Sequence, residues 1–205
     1  MQTKFSNSGT VLDQTRELES ILQMSDNSQK QTKRGYIYDE LLSALQKDIR
    51  RGKEYEAVFW AVELETFNNK AIWNRLRVIA SEDTGLADPV APLIIDVLEK
   101  EYYDAKRREN DSYRLFLVHA VLYLARSPKS RMVDDLLITV YGDVKFRDKR
   151  LEIPDYALDM HTPRGRMKGR GFKHFLEEGS NLENETISDP YRDSAKEILL
   201  KYGKP

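Results

Sequence analysis

The chain has 205 residues, 33% of them charged, and a formal net charge of −1, so overall charge points to no partner and any nucleic-acid surface has to be local. It has no cysteine, which excludes disulfides, thiolate metal sites and cysteine nucleophiles. No run is apolar enough to span a bilayer and residues 1–9 lack a signal-peptide core, so a soluble, cytoplasmic protein with no membrane partner is expected.

Residues 1–34 read as a polar N-terminal arm. Within it, Val11 to Met24 predicts a short helix with Leu12, Leu18, Ile21 and Leu22 apolar, and Ser25 to Lys33 reads as a linker. A core domain is expected over residues 35–142 and a third region over residues 143–205. Tyr36 to Arg51 predicts an amphipathic helix, with Tyr38, Leu41, Leu42, Leu45 and Ile49 on one face and Gly52 ending it. Lys47, Arg50 and Arg51 fall in its last turn, where solvated cations suit the helix dipole. Glu54 to Glu65 is apolar nearly all round and should sit centrally. Lys70 to Ala80 predicts the next helix.

The corner that follows runs Ser81-Glu82-Asp83-Thr84-Gly85-Leu86-Ala87-Asp88-Pro89. Gly85 suits a helix end that needs positive φ. Asp88 suits an N-cap with Pro89 as the first helical residue. Further helices are expected over Val90 to Arg108, Tyr113 to Ser127 and Lys129 to Gly142. Met132, Leu136, Leu137 and Val140 would supply the inner face of the last of these. His119, inside an apolar stretch, is expected as a hydrogen-bonded core or interface residue. From Asp143 the chain becomes charged, and Ile153-Pro154 breaks any helix. A final helix over Asp189 to Tyr202, capped by Asp189-Pro190, is ended by Gly203. With no sustained strand alternation, the fold class is all-α: a helical bundle with an irregular basic C-terminal segment.

Three stretches carry a family resemblance. Ser81, Glu82, Asp83, Gly85, Leu86, Ala87, Asp88 and Pro89 resemble the "SEDIGLADP" signature of the replication-associated recombination protein A (MgsA) family, whose eukaryotic relative is the Werner-helicase-interacting protein. Tyr38 to Gly52 resembles that family's "YDLISALHKSIRGSD". Ala120 to Ser130, ending in Pro128, Lys129 and Ser130, resembles its "AVIYLALAPKSN", with Arg126 where the family usually has an apolar residue. A weaker likeness, over Pro154, Thr162, Met167, Lys168, Gly169 and Gly171, extends it to about residue 176, with Arg164, Arg166 and Arg170 as departures.

The resemblance covers only the helical C-terminal region of that family, not its AAA+ ATPase module. No glycine here starts a P-loop, so ATP hydrolysis is not carried over and no cofactor is expected. The resemblance implies a clamp-loader-collar-like fold that assembles into a homo-oligomer, a tetramer by preference. It also implies a place in DNA replication, recombination or repair. The partner would be a separately encoded AAA+ ATPase, unless the chain is part of a longer one; the start at Met1 with a polar arm suits a separate gene.

Catalytic chemistry finds little support. Glu177-Glu178 and Asp134-Asp135 are adjacent pairs that diverge on a helix, and His161 and His174 lack the spacing of a metal site, so neither a catalytic residue nor a metal ligand is assigned. The strongest alternative to assembly is the stretch from His161 to His174, which contains Arg164, Arg166, Lys168, Arg170 and Lys173 and no acid. Gly165, Gly169 and Gly171 would permit close backbone approach, and Phe172 and Phe175 stacking, as single-stranded nucleic acid requires. A subunit or partner contact, and a solvated loop whose arginines pair with neighbouring carboxylates, are the other readings of this stretch.

Overall fold

A computed structural model describes residues 30–67 and 69–203. The expected helix over Val11 to Met24 and most of the N-terminal arm lie outside the described residues. The chain divides into two compact units between Gly142 and Asp143.

The first unit is a helical bundle. Helix α1 spans Tyr38–Arg50, α2 Glu54–Glu65, α3 Asn69–Ile79, α4 Ala91–Arg107 and α5 Tyr113–Arg126. A sixth helix, α6, spans Met132–Phe146, so the division between units falls within it. Among the described residues there is no strand; an isolated bridge between Gln31 and Ile37 closes the turn that leads into α1.

The spacing of apolar residues decides which face of each helix is buried. On α1, Leu41, Leu42, Leu45 and Ile49 recur at intervals of three and four and are buried together. Its first turn holds Asp39 and Glu40 and its last turn Lys47 and Arg50, each sign at the dipole end that favours it. α3 contributes Ile72, Trp73, Leu76 and Ile79, α4 contributes Ile95, Leu98 and Tyr102, and α5 contributes Leu117, Ala120, Val121 and Leu124. Trp73 and Tyr102 meet edge to face, 5.3 Å between ring centroids, at the centre of this core. Tyr102 keeps its hydroxyl satisfied by donating to Glu65 Oε1 at 2.7 Å.

Helix α5, not α2, is the central element: it packs against α1, α2, α3 and α4. Only Ala57, Ala61, Glu63 and Leu64 of α2 are buried, while Tyr55 and Val62 face outward. The apolar character of α2 therefore overstated its burial. His119 is not a core residue of the bundle, as one of its two expected placements had it: it is exposed, on the outer face of α5.

The second unit consists of short turns of helix and one longer helix. A 3-10 turn at Asp155–Ala157 precedes α7 (Pro163–Met167) and α8 (Phe172–His174). A π-helical turn follows at Phe175–Gly179, and α9 spans Arg192–Tyr202. Tyr191 N–H donates to Asp189 Oδ1 at 2.9 Å, so Asp189 closes a turn ahead of α9, whose N-cap position is Tyr191 and not the expected Asp189-Pro190.

Candidate functional site

The signature forms the corner between α3 and α4. Instead of stopping cleanly, α3 widens into a π-helical turn over Ala80–Thr84, and a 3-10 turn over Gly85–Ala87 follows. Gly85 has φ +51°, and a Cβ there would lie 3.2 Å from the Ser130 carbonyl oxygen, so both conformation and space call for glycine. The Asp83 carbonyl accepts from Ser130 N–H at 2.9 Å. Two signature stretches, Ser81–Pro89 and Pro128–Ser130, thus meet edge to edge.

Asp88 accepts from Val90 N–H (3.3 Å), Tyr123 Oη (2.7 Å) and Ser127 Oγ (3.0 Å). The bond from Tyr123 leads in holding the Asp88 carboxyl below its ordinary range, and the same bond pushes the tyrosine hydroxyl up. Pro89 and Val90 form a turn of their own, so α4 begins at Ala91 with Pro92 in its first turn. Asp88 is a turn-and-tie residue, and Pro89 does not start the helix.

Asp83 is the pivot. It has no exposed surface, yet it is a carboxylate. Its Oδ2 accepts from Gln46 Nε2 at 3.0 Å; its Oδ1 accepts from Arg50 Nε at 2.6 Å and Arg131 Nη1 at 3.2 Å. Glu82 Oε1 accepts from the same two arginines, at 3.1 Å from Arg50 and 2.8 Å from Arg131. Burial alone would raise the Glu82 pKa, but the Arg131 hydrogen bond and the charges of Arg131 and Arg50 outweigh it and hold it below the ordinary value. Arg131 also bonds Asp134 in the first turn of α6, and Arg75 donates to Gln46 Oε1 at 2.9 Å. The ring joins α1, α3, the corner and the start of α6. Sequence reasoning placed Arg50 in a solvated last turn and missed Gln46 and Arg131. The available signal was the adjacent acids Glu82 and Asp83 with two arginines elsewhere and no local partner.

Lys129 is likewise internal. Its ammonium donates to the carbonyls of Leu124 (2.6 Å), Ala125 (3.2 Å) and Ser127, closing the C-terminal end of α5, and burial lowers its pKa. Ser81, Leu86, Ala87, Pro89 and Pro128 are exposed on the outside of the corner.

The apolar surface left uncovered lies on two helices. α6 starts at Met132, after the extended stretch that Lys129 pins down, and among the described residues it packs broadly on no other element. Leu136 (60% exposed), Leu137 (53%) and Val140 (48%) do not form an inner face, contrary to the sequence reading; Met132, Val133, Ile138, Tyr141, Val144 and Phe146 are exposed as well. Asp143 is the buried residue of this helix, held by Arg147 (3.0 Å) and Lys149 (2.7 Å). A second stripe, Leu86, Val90, Leu93 and Val97, runs exposed along the corner and α4 at intervals of four, three and four.

In the second unit, Arg166, Lys168 and Arg170 of the basic stretch bond their own chain, with Arg170 half-buried and the other two exposed. Asp155 receives Lys168 Nζ at 2.7 Å and the Arg170 guanidinium, which also donates to the Asp155 and Leu158 carbonyls at 2.7 and 2.8 Å. The hydrogen bonds from Lys168 and Arg170 pull the Asp155 carboxyl down to about 2. Arg166 donates to the Met160 and His161 carbonyls at 3.2 and 3.1 Å. A Cβ on Gly165 would lie 1.8 Å from the Asp159 carbonyl oxygen, so this glycine serves an internal backbone crossing and not the approach of a ligand. Phe172 packs beside Gly203, leaving its ring half-buried. Among the described residues, neither Arg164 nor Lys173 has a side-chain hydrogen bond or ion pair, and both are exposed.

These features define an all-α domain with a tied corner, an unpaired apolar helix and no P-loop. Residues 53–195 match the family model of the MgsA AAA+ ATPase C terminal, and the chain belongs to that family. It is similar to replication-associated recombination protein A of Bacillus subtilis (strain 168), 29% identical over 199 residues that cover 94% of this chain and 45% of the relative. The protein of the same name from Haemophilus influenzae is 30% identical over 150 residues, covering 68% of this chain and 30% of the relative. That of Escherichia coli (strain K12) is 28% identical over 144 residues, with the same coverages of 68% and 30%. The chain therefore spans less than half the length of these relatives. Among the described residues, no helix is long and apolar enough to cross a membrane.

Proposed function

We propose that this chain is an oligomerisation and docking domain for AAA+ ATPase machinery acting in DNA replication, recombination or repair. Its work is to hold copies together, four by preference, and to dock an ATPase module carried elsewhere. The observation that carries this reading is α6: a helix whose apolar side chains are exposed along its whole length. Contiguous apolar surface of this kind is costly to leave in water and marks a contact with another protein. The stripe on α4 adds a second such surface. The relatives' names supply the setting, replication-associated recombination, and the family description supplies the ATPase.

Absolute mass by light scattering, at low and high salt, tests the reading. A contact made by apolar helix faces keeps its mass as salt rises, because screening weakens only charge interactions. Four chain masses at both salts is the expected result; a monomer at both would overturn the proposal.

A second reading rests on Arg164 and Lys173, the two cations of the basic stretch without a partner. It assigns them to a single-stranded nucleic acid.

A further inference from the structure

We infer that α6 pairs with α6 of a second copy, antiparallel, about a two-fold axis passing near the Ile138–Thr139 bond. The inference rests on the assembly reading above and names the contact and its orientation. It is carried by the order of apolar residues along the helix. An isologous contact needs a self-complementary surface, in which residue i meets j and j meets i. The apolar positions of α6 mirror each other about its midpoint: Val133 with Val144, Leu136 with Tyr141, and Leu137 with Val140. All six are exposed. Val133, Leu137, Val140 and Val144 run at intervals of four, three and four, the spacing of a helix–helix seam. Reversing one copy lays the seam on itself in register.

The charges beside the seam choose between the two orientations. Asp134 and Lys145 lie about three turns apart, and therefore on the same flank. Antiparallel pairing puts Asp134 of one copy level with Lys145 of the other, twice per pair. Asp134 already receives Arg131 of its own chain, whereas Lys145 has no carboxylate partner among the described residues and lies over the Phe146 ring at 5.6 Å. A parallel pair would instead set each Lys145 on the opposite side of the seam from its copy and leave Asp134 about 16 Å away along the axis, so neither charge would meet its complement. A tetramer of dihedral symmetry is built from two kinds of two-fold contact, and this pairing would supply one of them.

The absence of cysteine makes the test direct, since introduced thiols are the only ones present. The full chain is made as Val133→Cys, Val144→Cys and the double variant, then treated with a short bismaleimide. The double variant is expected to give covalent dimer. Each single variant should give little, and an equilibrated mixture of the two singles should restore the product. The Leu136→Cys, Tyr141→Cys pair repeats the test if the first pair perturbs assembly. Leu137→Glu, at an exposed position that leaves the bundle core intact, is expected to reduce the assembled mass to half or less with helicity unchanged. Efficient cross-linking of Val133→Cys alone would show a parallel pair and overturn the inference. Failure of every pair, with Leu137→Glu keeping the wild-type mass, would also overturn it while leaving the assembly reading standing. A monomeric wild-type chain would overturn both.

Discussion

Asp83 shows what a signature residue can be for. A buried carboxylate is stable only when it is paired and hydrogen-bonded, and here three side chains from two other segments supply the pairing. Removing the acceptor leaves the Gln46 amide without its partner and takes from Arg50 and Arg131 one of the two carboxylates they share, so that Glu82 alone holds the corner to α1. Asp83→Ala is expected to destabilise the chain by about 3 kcal/mol, the scale for breaking one side of a buried ion pair. Ser81→Ala, two residues away and exposed, should stay within about 0.5 kcal/mol. Denaturant unfolding of both variants checks this; equal stability would refute the buried-ring account. The importance of Glu82 and Asp83 was legible in the sequence, through resemblance. Their partner Arg50 was not, because it stands 33 residues earlier and the last turn of an amphipathic helix reads as solvent-facing. Spacing along a chain reports periodicity within an element; it does not report which helix end meets which corner.

The same limit governs the elements. α1 to α5 were readable because each buries a face against neighbours, and burial imposes a period on the sequence. α6 was readable as a helix but not as an exposed one. Its apolar residues could have served an internal core, and nothing in composition separates that from a surface awaiting another chain. In the C-terminal region, counting charges left the basic stretch open between a ligand surface, a subunit contact and a loop paired with nearby carboxylates. The acid that balances two of its five cations, Asp155, lies upstream of the stretch. This arrangement has a pH signature. The Asp155 carboxyl falls from an ordinary 3.8 to about 2 in the folded chain, so folding favours its ionised form. Its contribution is complete above 3.8 and is lost as pH falls toward about 2. Asp155→Asn should therefore unfold more readily than the parent chain at neutral pH. The gap should close through that acid window, followed by denaturant titration at a series of pH values. A gap independent of pH would mean that Asp155 contributes through shape rather than charge.

At the scale of the whole molecule, a net charge of −1 leaves the two functional readings to be separated by their dependence on salt. Assembly through apolar faces persists when charges are screened. Nucleic-acid binding does not, because each phosphate contact releases counterions and makes affinity fall as salt rises. With Lys168 and Arg170 committed to Asp155, Arg164 and Lys173 are the cations left to meet phosphate. Replacing both with alanine should weaken binding to single-stranded DNA and reduce the slope of log affinity against log salt by about 1.4, or about 0.7 per lost contact. Neither side chain supports the fold, so helicity and assembled mass should be unchanged. Fluorescence anisotropy of a labelled oligonucleotide across a salt series reads the slope. An unchanged slope, or no binding by the parent chain, would remove the nucleic-acid reading from this segment. It would also leave the apolar faces of α4 and α6 as the surfaces through which the domain acts.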